Sequence, residues 1–402
     1  MASRLSPRAA AVGAAAAVGA LAVALAIVAA SGNGAAPAAG PVSSSTGRTT
    51  SSVHLQAHPV AAVKPRPLRA GESRMTLRMS RPFQPSAPNA VGNDDYRCFL
   101  LDPHLSRNRY LTGTFVEPGN RSVVHHVILF RVDPNQVAAA QQLDANDPGE
   151  GWTCFGDSGL PNSNNLDNAP WLGAWAPGAQ ESVDAPGYGV PLAAGSRIIM
   201  QVHYNLLGGS GTDRSATLLR LAPPSAHLTP LETMLLPAPV ELPCRPGHTD
   251  NPQCDRTTSI ADVVHRFGPV GQTNNWLSVL CGEQRDTEVT TCARTVNRTT
   301  TIHAVAGHMH LLGRSIKIQV DPGTPKARTM LDIPVWDFDN QAAKPIKPVT
   351  LHAGETVKVT CRHVQWLRDR LPAFAGQPDR YVVWGEGTTD EMCLGILTVT
   401  HP

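Results

Sequence analysis

The feature of this chain that most constrains its fold is a succession of short runs rich in β-branched and apolar residues, separated by Pro, Gly, Asn and Asp. Such runs are typical of β-strands, and the residues between them are typical of turns. Long helical periodicity is absent, and the one helix-favouring patch is 136–143. The predicted strands are 110–116, 122–132, 196–206, 216–221, 231–236, 259–267, 300–310, 315–320, 355–363, 381–384 and 392–400.

Many short strands at this spacing predict antiparallel sandwiches and therefore an all-β fold. The chain of 402 residues is long enough for two domains, and the Ala-Pro-Pro-Ser sequence at 222–225 is typical of an interdomain connection. We therefore predict two tandem sandwich domains, at 73–224 and 225–402.

The N-terminal region has the pattern of an exported protein. Two arginines precede an apolar segment from Ala9 to Ala30, which ends in small residues that suit a cleavage site but is also long enough to span a bilayer. Residues 1–30 are thus either a signal peptide or a membrane anchor. The Ala/Gly/Pro/Ser-rich residues 31–72 are predicted to form a disordered tether. The protein would be secreted, or attached through residues 9–30 to the outer face of the cytoplasmic membrane.

Composition excludes several classes of partner and site. Lys and Arg number 34 against 32 Asp and Glu, so the chain lacks the excess of positive charge that is typical of nucleic-acid-binding proteins. The chain has eight cysteines and no C-x-x-C pair, so zinc-ribbon and thioredoxin sites are not expected. In an exported chain, cysteines favour disulfides over free thiols.

The first candidate metal ligands are His308 and His310, which lie two residues apart in an apolar run. Successive side chains of an extended strand alternate between its faces, so this pair projects from one side as a chelate. Met309 and His303 have the wrong parity to share that face.

A second set of candidates lies nearer the N-terminus. His125 and His126 are adjacent, so they bind one metal only if the strand bulges or twists there. Otherwise one is buried and hydrogen-bonded and the other exposed. His203, in another apolar run, would alone be a satisfied core histidine. Together the three imidazoles could form a site of the kind that copper and zinc prefer.

The pair at His308 and His310 needs a further ligand, for which Met392 is the candidate. This methionine follows a Gly-rich turn, and a thioether is a soft donor that selects copper, especially Cu(I). The alternative for Met392 is core packing. Cys393 must face away from it, and Cys361 is a plausible disulfide partner for that cysteine.

In order along the chain, V-H-H-V-I-L-F, Q-V-H-Y, H-M-H-L-L-G-R and E-M-C resemble the motifs of the copper type II, ascorbate-dependent monooxygenases. This is the family of peptidylglycine α-hydroxylating monooxygenase and dopamine β-monooxygenase. The resemblance covers most of 74–402, including W-D-F-D-N-Q at 336–341 and the strand at 352–361. It implies two jelly-roll domains that face each other across a solvent-filled cleft, with one copper on each.

The resemblance also implies the role of each ligand and the activity. The electron-supplying copper would be held by His125, His126 and His203, and the oxygen-activating copper, where catalysis occurs, by His308, His310 and Met392. The expected function is copper-dependent hydroxylation of a C–H bond in a small organic substrate, with O₂ and ascorbate or a similar electron donor. The rivals are a non-catalytic exported copper-binding or copper-buffering protein on the same scaffold, and a degenerate sandwich that binds carbohydrate or a partner.

The resemblance implies disulfides as well. The Tyr96-Arg97-Cys98 element is similar to the family's Y-x-C, which pairs Cys98 with Cys154, and a Cys361–Cys393 bridge matches the family. The other four cysteines allow three pairings, of which we favour Cys244–Cys254 with Cys281–Cys292.

The chain departs from the peptide-hydroxylating member at the positions that would hold a substrate. That member has an arginine, an asparagine and a tyrosine that bind the carboxylate of its substrate. In this chain the corresponding region before the first histidine of the pair holds Ala306, and the region after Met392-Cys393 holds Leu394, Gly395 and Ile396. A peptidylglycine substrate is therefore not expected, and an apolar or aromatic small molecule is.

Overall fold

Two antiparallel β-sandwiches follow one another along the chain in the computed structural model. The structure describes residues 65–87, 92–161, 165–177 and 179–402. The predicted export segment and most of the predicted tether lie outside the described residues. The all-β fold class is as predicted.

The first sandwich contains a sheet of six strands and a sheet of five. Its strands are β1 (Ser73–Arg78), β2 (Asp94–Leu101), β3 (Arg109–Glu117), β4 (Val124–Val132), β5 (Trp152–Thr153), β6 (Trp171–Trp175), β7 (Ser182–Val183), β8 (Tyr188–Leu192), β9 (Arg197–Asn205), β10 (Ala216–Ala222) and β11 (Thr229–Pro230).

The second sandwich contains two sheets of four strands and a separate two-stranded ladder. Its strands are β12 (Glu232–Pro237), β13 (Glu241–Leu242), β14 (Val289–Thr295), β15 (Thr300–His308), β16 (Gly313–Val320), β17 (Arg328–Ile333), β18 (Lys344–Leu351), β19 (Thr356–His363), β20 (Val382–Val383) and β21 (Leu394–Thr400).

Both sandwiches have the same strand order. In the first, the principal sheets run β1-β10-β3-β8 and β2-β9-β4-β6, and in the second they run β12-β21-β15-β18 and β14-β19-β16-β17. We number the eight strands of these two sheets from one to eight in chain order within each sandwich. In both sandwiches strand eight then lies between strands one and three, and strand seven lies between strands two and four. This is the double Greek key of a jelly roll.

Helices are confined to short segments, and one of them contradicts the sequence prediction. The α-helices are α1 (Val137–Asn146), α2 (Arg256–Phe267) and α3 (Thr273–Cys281), and the 3₁₀ turns are Pro134–Gln136, Pro224–Ala226, Pro252–Cys254, Gly268–Gln272, Gln365–Asp369 and Pro372–Phe374. The predicted strand at 259–267 is wrong, because it lies in α2. Its buried Ile260, Val263 and Phe267 have helical spacing, and Asp255 caps the helix by accepting from the backbone N–H of Thr258.

None of the helices in the described part of the chain is both long and apolar enough to cross a bilayer.

All four predicted disulfides are confirmed, and no cysteine is free. They are Cys98–Cys154, Cys244–Cys254, Cys281–Cys292 and Cys361–Cys393. The second and third pairs bracket the helical segment that contains α2 and α3. Four disulfides indicate a protein of an oxidising, extracellular compartment.

Candidate metal centre

Three histidines of the first sandwich form a cluster that could hold a metal ion. The Nδ1 atom of His125 lies 3.2 Å from that of His126 and 3.3 Å from that of His203, and the last two are 3.2 Å apart. Nitrogens bound to one ion at about 2.0 Å with tetrahedral angles are about 3.3 Å apart, so this triangle has the size of a ligand set. We call these residues the first histidine group.

A β-bulge explains how two adjacent histidines contribute to one cluster. In the pairing of β4 with β9, Val124 faces Tyr204 and His126 faces His203, so His125 is the extra residue. An extra residue resets the alternation of side chains between the two faces of the sheet. Strand β4 therefore has the bulge that binding of one metal by both histidines would require.

Neighbouring side chains orient His203. Its Nε2 donates to Asp94 Oδ1 at 2.8 Å, which leaves the lone pair of Nδ1 directed into the triangle. The Tyr96 ring is stacked on the His203 ring, with centroids 4.1 Å apart and planes 8° apart. Burial alone would raise the pKa of Asp94, but the hydrogen bond from His203 and the attraction to that imidazole lower it overall. Asp94 is therefore a carboxylate at neutral pH.

His308 and His310 form the second histidine group, although not as members of one strand. Strand β15 ends at His308, and His310 lies in the turn beyond it, so the predicted strand extends too far. Their ring centroids are still 5.1 Å apart, within the 4.6–5.4 Å range found in the first group. His310 is buried, and neither ring nitrogen has a hydrogen-bond partner among the described residues. An unsatisfied buried imidazole is costly, so His310 has the character of a metal ligand.

Met309 and His303, which strand parity set apart from this pair, have other surroundings. Met309 is fully buried in the core of the second sandwich. His303 lies at a bulge of β15, where its Nε2 is 2.9 Å from Thr400 Oγ1.

The loop at 334–343, between β17 and β18, contacts both histidine groups. Gln341 Oε1 accepts from His308 Nδ1 at 2.6 Å, so His308 Nε2 carries the lone pair. The Phe338 ring is stacked on the His125 ring at 4.5 Å and lies 6.2 Å from the ring of His310. This loop of the second sandwich therefore covers ligand candidates of the first.

Met392 is buried in an apolar cluster with Leu277 of α3, Trp384 and Leu394. It lies before β21, which begins at Leu394, rather than opening that strand as predicted. Cys393 belongs to a different apolar cluster, which agrees with the prediction that it faces away from Met392.

Glu391 joins the backbone of Met392 to the second histidine group. Its carboxylate accepts from the backbone N–H groups of His310 at 2.9 Å, Leu312 at 2.5 Å and Met392 at 3.2 Å. Burial would raise the pKa of Glu391, but His363 and His310 together outweigh this effect, and the net shift of the pKa is downward. A fully buried carboxylate thus holds the Met392 segment against the turn that carries His310.

The two histidine groups are adjacent in this structure, so the expected solvent-filled cleft between them is absent from the described residues. The ring of His126 lies 5.9 Å from the ring of His308. Contacts between the sandwiches account for this closeness: Phe338 stacks on His125, and the hydroxyl of Tyr96 donates to the backbone oxygen of Glu386 at 2.7 Å.

Burial favours the neutral form of His125, His126, His308 and His310. It lowers the pKa of His125 and His126 well below the ordinary value, and that of His308 to about 3. The pKa of His310 is lowered by burial as well. Since a metal ligand must be unprotonated, these four rings need not release protons to bind an ion near neutral pH.

Sequence reasoning missed three residues that support the ligands. Asp94 and Glu391 are ordinary carboxylates in sequence, although Glu391 directly precedes a predicted ligand. Gln341 ends the W-D-F-D-N-Q run that contributed to the resemblance, and that run was the available signal.

A buried carboxyl group close to this region yields a prediction about stability and pH. Glu386 accepts hydrogen bonds from the Trp384 side chain and the Gly156 backbone, and burial raises its pKa to about 8. The folded protein therefore retains a proton that the unfolded chain releases near its ordinary pKa, so stability should fall as pH rises towards 8. The slope is at most about 1.4 kcal/mol per pH unit between roughly pH 5 and pH 8.

Glu386→Gln mimics the protonated form and should remove this component. Urea unfolding of both proteins across that range would measure it, and parallel pH profiles would contradict the prediction.

Comparisons with known proteins identify no family. No protein-family model and no curated protein match the chain. An allantoicase structure aligns at 11% identity over 70% of this chain and 76% of its own, with a TM-score of 0.18. Striped bass serum fucolectin aligns at 7% identity over 83% and 97%, and Paenibacillus xanthan lyase at 13% over 81% and only 25% of its own length, both with TM-scores of 0.19. At these TM-scores the similarity carries no argument about this chain.

Proposed function

We propose that this protein is an exported copper-dependent monooxygenase that hydroxylates a C–H bond of a small organic substrate, using O₂ and an ascorbate-like donor. The observation that carries the proposal is the pairing of a three-nitrogen triangle with a second, adjacent histidine pair that has unsatisfied buried nitrogens. The resemblance to the copper type II, ascorbate-dependent monooxygenases supports it from the motifs.

The donor set suits copper. The Nδ1 atoms of His125, His126 and His203 would hold one ion, while His308 and His310 would hold the other together with the thioether of Met392. Imidazole suits several transition metals, but a thioether donor favours copper and its reduced form in particular.

When bound, copper supplies the one-electron chemistry with O₂ that side chains cannot provide. In the overall reaction one oxygen atom enters the C–H bond to give an alcohol. The other oxygen atom is reduced to water with two protons and two electrons, and the donor is oxidised. Two sites suit this stoichiometry because the electrons arrive singly.

The chain's own residues fix the ligands and exclude water. Asp94 holds the proton on Nε2 of His203, and Gln341 holds the proton on Nδ1 of His308, so the opposite nitrogen of each ring is available to an ion. Phe338 covers His125.

The residues of β15 and β21 next to the second histidine group carry no charged side chain, which supports an uncharged substrate. In the pairing of β15 with β21, Ala306 faces Ile396, Gly307 faces Gly395 and His308 faces Leu394. No cation stands in this part of the register to bind a carboxylate. We therefore propose an apolar or aromatic small molecule as the substrate class.

The test combines copper quantification with ascorbate-driven O₂ uptake. The wild type should bind two copper ions and consume O₂ in the presence of an aromatic amine or neutral aromatic substrate. Met392→Ala should lose most of this activity because the soft ligand is gone. Met330→Ala, which changes a half-buried methionine of β17, should retain it.

Four outcomes would contradict the proposal. Full activity in Met392→Ala, or activity supported by zinc, would refute the assignment of the oxygen site. Copper binding without substrate-dependent O₂ uptake would favour the copper-buffering alternative. Faster turnover of glycine-extended peptides than of neutral aromatic substrates would refute the substrate class.

A further inference from the structure

A hydroxyl group of the second sandwich contacts the carboxylate that orients His203. Thr388 Oγ1 donates to Asp94 Oδ1 at 2.6 Å, and the same oxygen accepts from His203 Nε2 at 2.8 Å. All three residues are buried, with exposed fractions of 2% for Thr388, 8% for Asp94 and 1% for His203. No bulk water can replace the hydroxyl, so the position of Asp94 depends on Thr388.

Thr388 belongs to a loop that also supports the second histidine group. We define the 385–391 loop as the residues between Trp384, which follows β20, and Met392. At its end, Glu391 accepts from the backbone N–H of His310, and Asp390 accepts from the backbone N–H of Gly387 at 3.0 Å, within the loop itself. A continuous set of bonds therefore runs from His203 through Asp94 and Thr388 along this short loop to His310.

We infer that Thr388 is a positioning residue that orients His203 through Asp94 and couples metal binding at the two histidine groups through the 385–391 loop. An ion at the first group fixes the His203 ring, and with it the Asp94 carboxylate and the loop that Thr388 anchors. The same loop position presents Glu391 to the backbone of His310. Because coupling between binding sites is reciprocal, an ion at either group should favour binding at the other.

The inference rests on the proposed copper binding, and the experiment uses copper alone as the probe. Copper affinity is measured by competition titration on the full chain in wild type, Thr388→Val, Thr388→Ser and Thr389→Val. Each variant is repeated with His308→Ala, which leaves the first group intact, and with His126→Ala, which leaves the second. Thermal unfolding of the metal-free proteins is recorded in parallel.

Valine retains the shape of threonine without its hydroxyl, so Thr388→Val should weaken copper binding at the first group about 10-fold, as loss of an outer-shell partner does. Binding at the second group should also weaken when the first group is intact. Thr388→Ser keeps the hydroxyl and should restore the wild-type affinities. Thr389→Val should match the wild type, since the Thr389 side chain makes no hydrogen bond to the described residues.

Several outcomes overturn the inference. Unchanged copper affinity in Thr388→Val, with or without a lower unfolding temperature, would show a purely structural role. Weaker binding at the first group alone would refute the coupling. A wild type that binds fewer than two copper ions would instead overturn the proposed function, so the two failures are distinguishable.

Discussion

Under the proposed function, replacing His308 with alanine should remove one of the two copper ions and abolish substrate-dependent O₂ consumption. His308 lies at the end of β15, where Gln341 fixes its tautomer and the His310 ring lies 5.1 Å away. Loss of an outer-shell partner costs about 10- to 100-fold in activity or metal affinity, and loss of a direct ligand should cost more. The measurement is copper stoichiometry together with ascorbate-driven O₂ uptake.

His303→Ala is the matched control for this variant. His303 lies on the same strand, but its ring contacts Tyr188 and Thr400 instead of the second histidine group. It should therefore keep both copper ions and the wild-type rate. Equal losses in the two variants would mean that the strand, and not the ligand, was disturbed, and a fully active His308→Ala would refute the assignment of the second site.

Ten of the 21 strands in the described part of the chain were predicted, because each of these ten is marked locally by β-branched residues and turn residues. The failure at 259–267 has a physical reason. Val263 and Val264 favour strands, whereas the capping of α2 by Asp255 and the spacing of Ile260, Val263 and Phe267 favour a helix. The short ladder of β13 with β20 depends on pairing between distant segments, which no local pattern reveals.

The candidate ligands could also be found from sequence, because histidines two residues apart or adjacent in apolar strands are chemically conspicuous. The side chains that orient these ligands could not be found from sequence. Asp94 reaches His203 across the register of β2 and β9, and Gln341 reaches His308 from a distant loop. The closeness of the two groups depends on how one sandwich packs on the other, and the sequence of neither sandwich contains that information.

Replacing Asp390 with alanine should strongly destabilise the fold. Its carboxylate binds both terminal nitrogens of Arg266 at 2.7 Å, contacts Arg380, and accepts from the backbone N–H of Gly387. The side chain of Asp390 is 2% exposed and that of Arg266 is 9% exposed. Burial opposes ionisation, but the two arginines hold the pKa of Asp390 well below its ordinary value.

Removal of one member of a buried ion pair costs about 3–5 kcal/mol, and Asp390→Ala should lose that much unfolding free energy in urea. Asp262→Ala is the matched control. Asp262 also pairs with Arg266, at 2.9 Å, but its side chain is 25% exposed, and such a partly solvated pair contributes about 1 kcal/mol or less. Similar losses in the two variants would contradict the argument.

Because the pKa of Asp390 is depressed in the folded protein, the wild type should lose the stability that the Asp390 ion pair contributes as pH falls below about 4, where the unfolded carboxyl becomes protonated. The Asp390→Ala variant should lack that component of acid sensitivity.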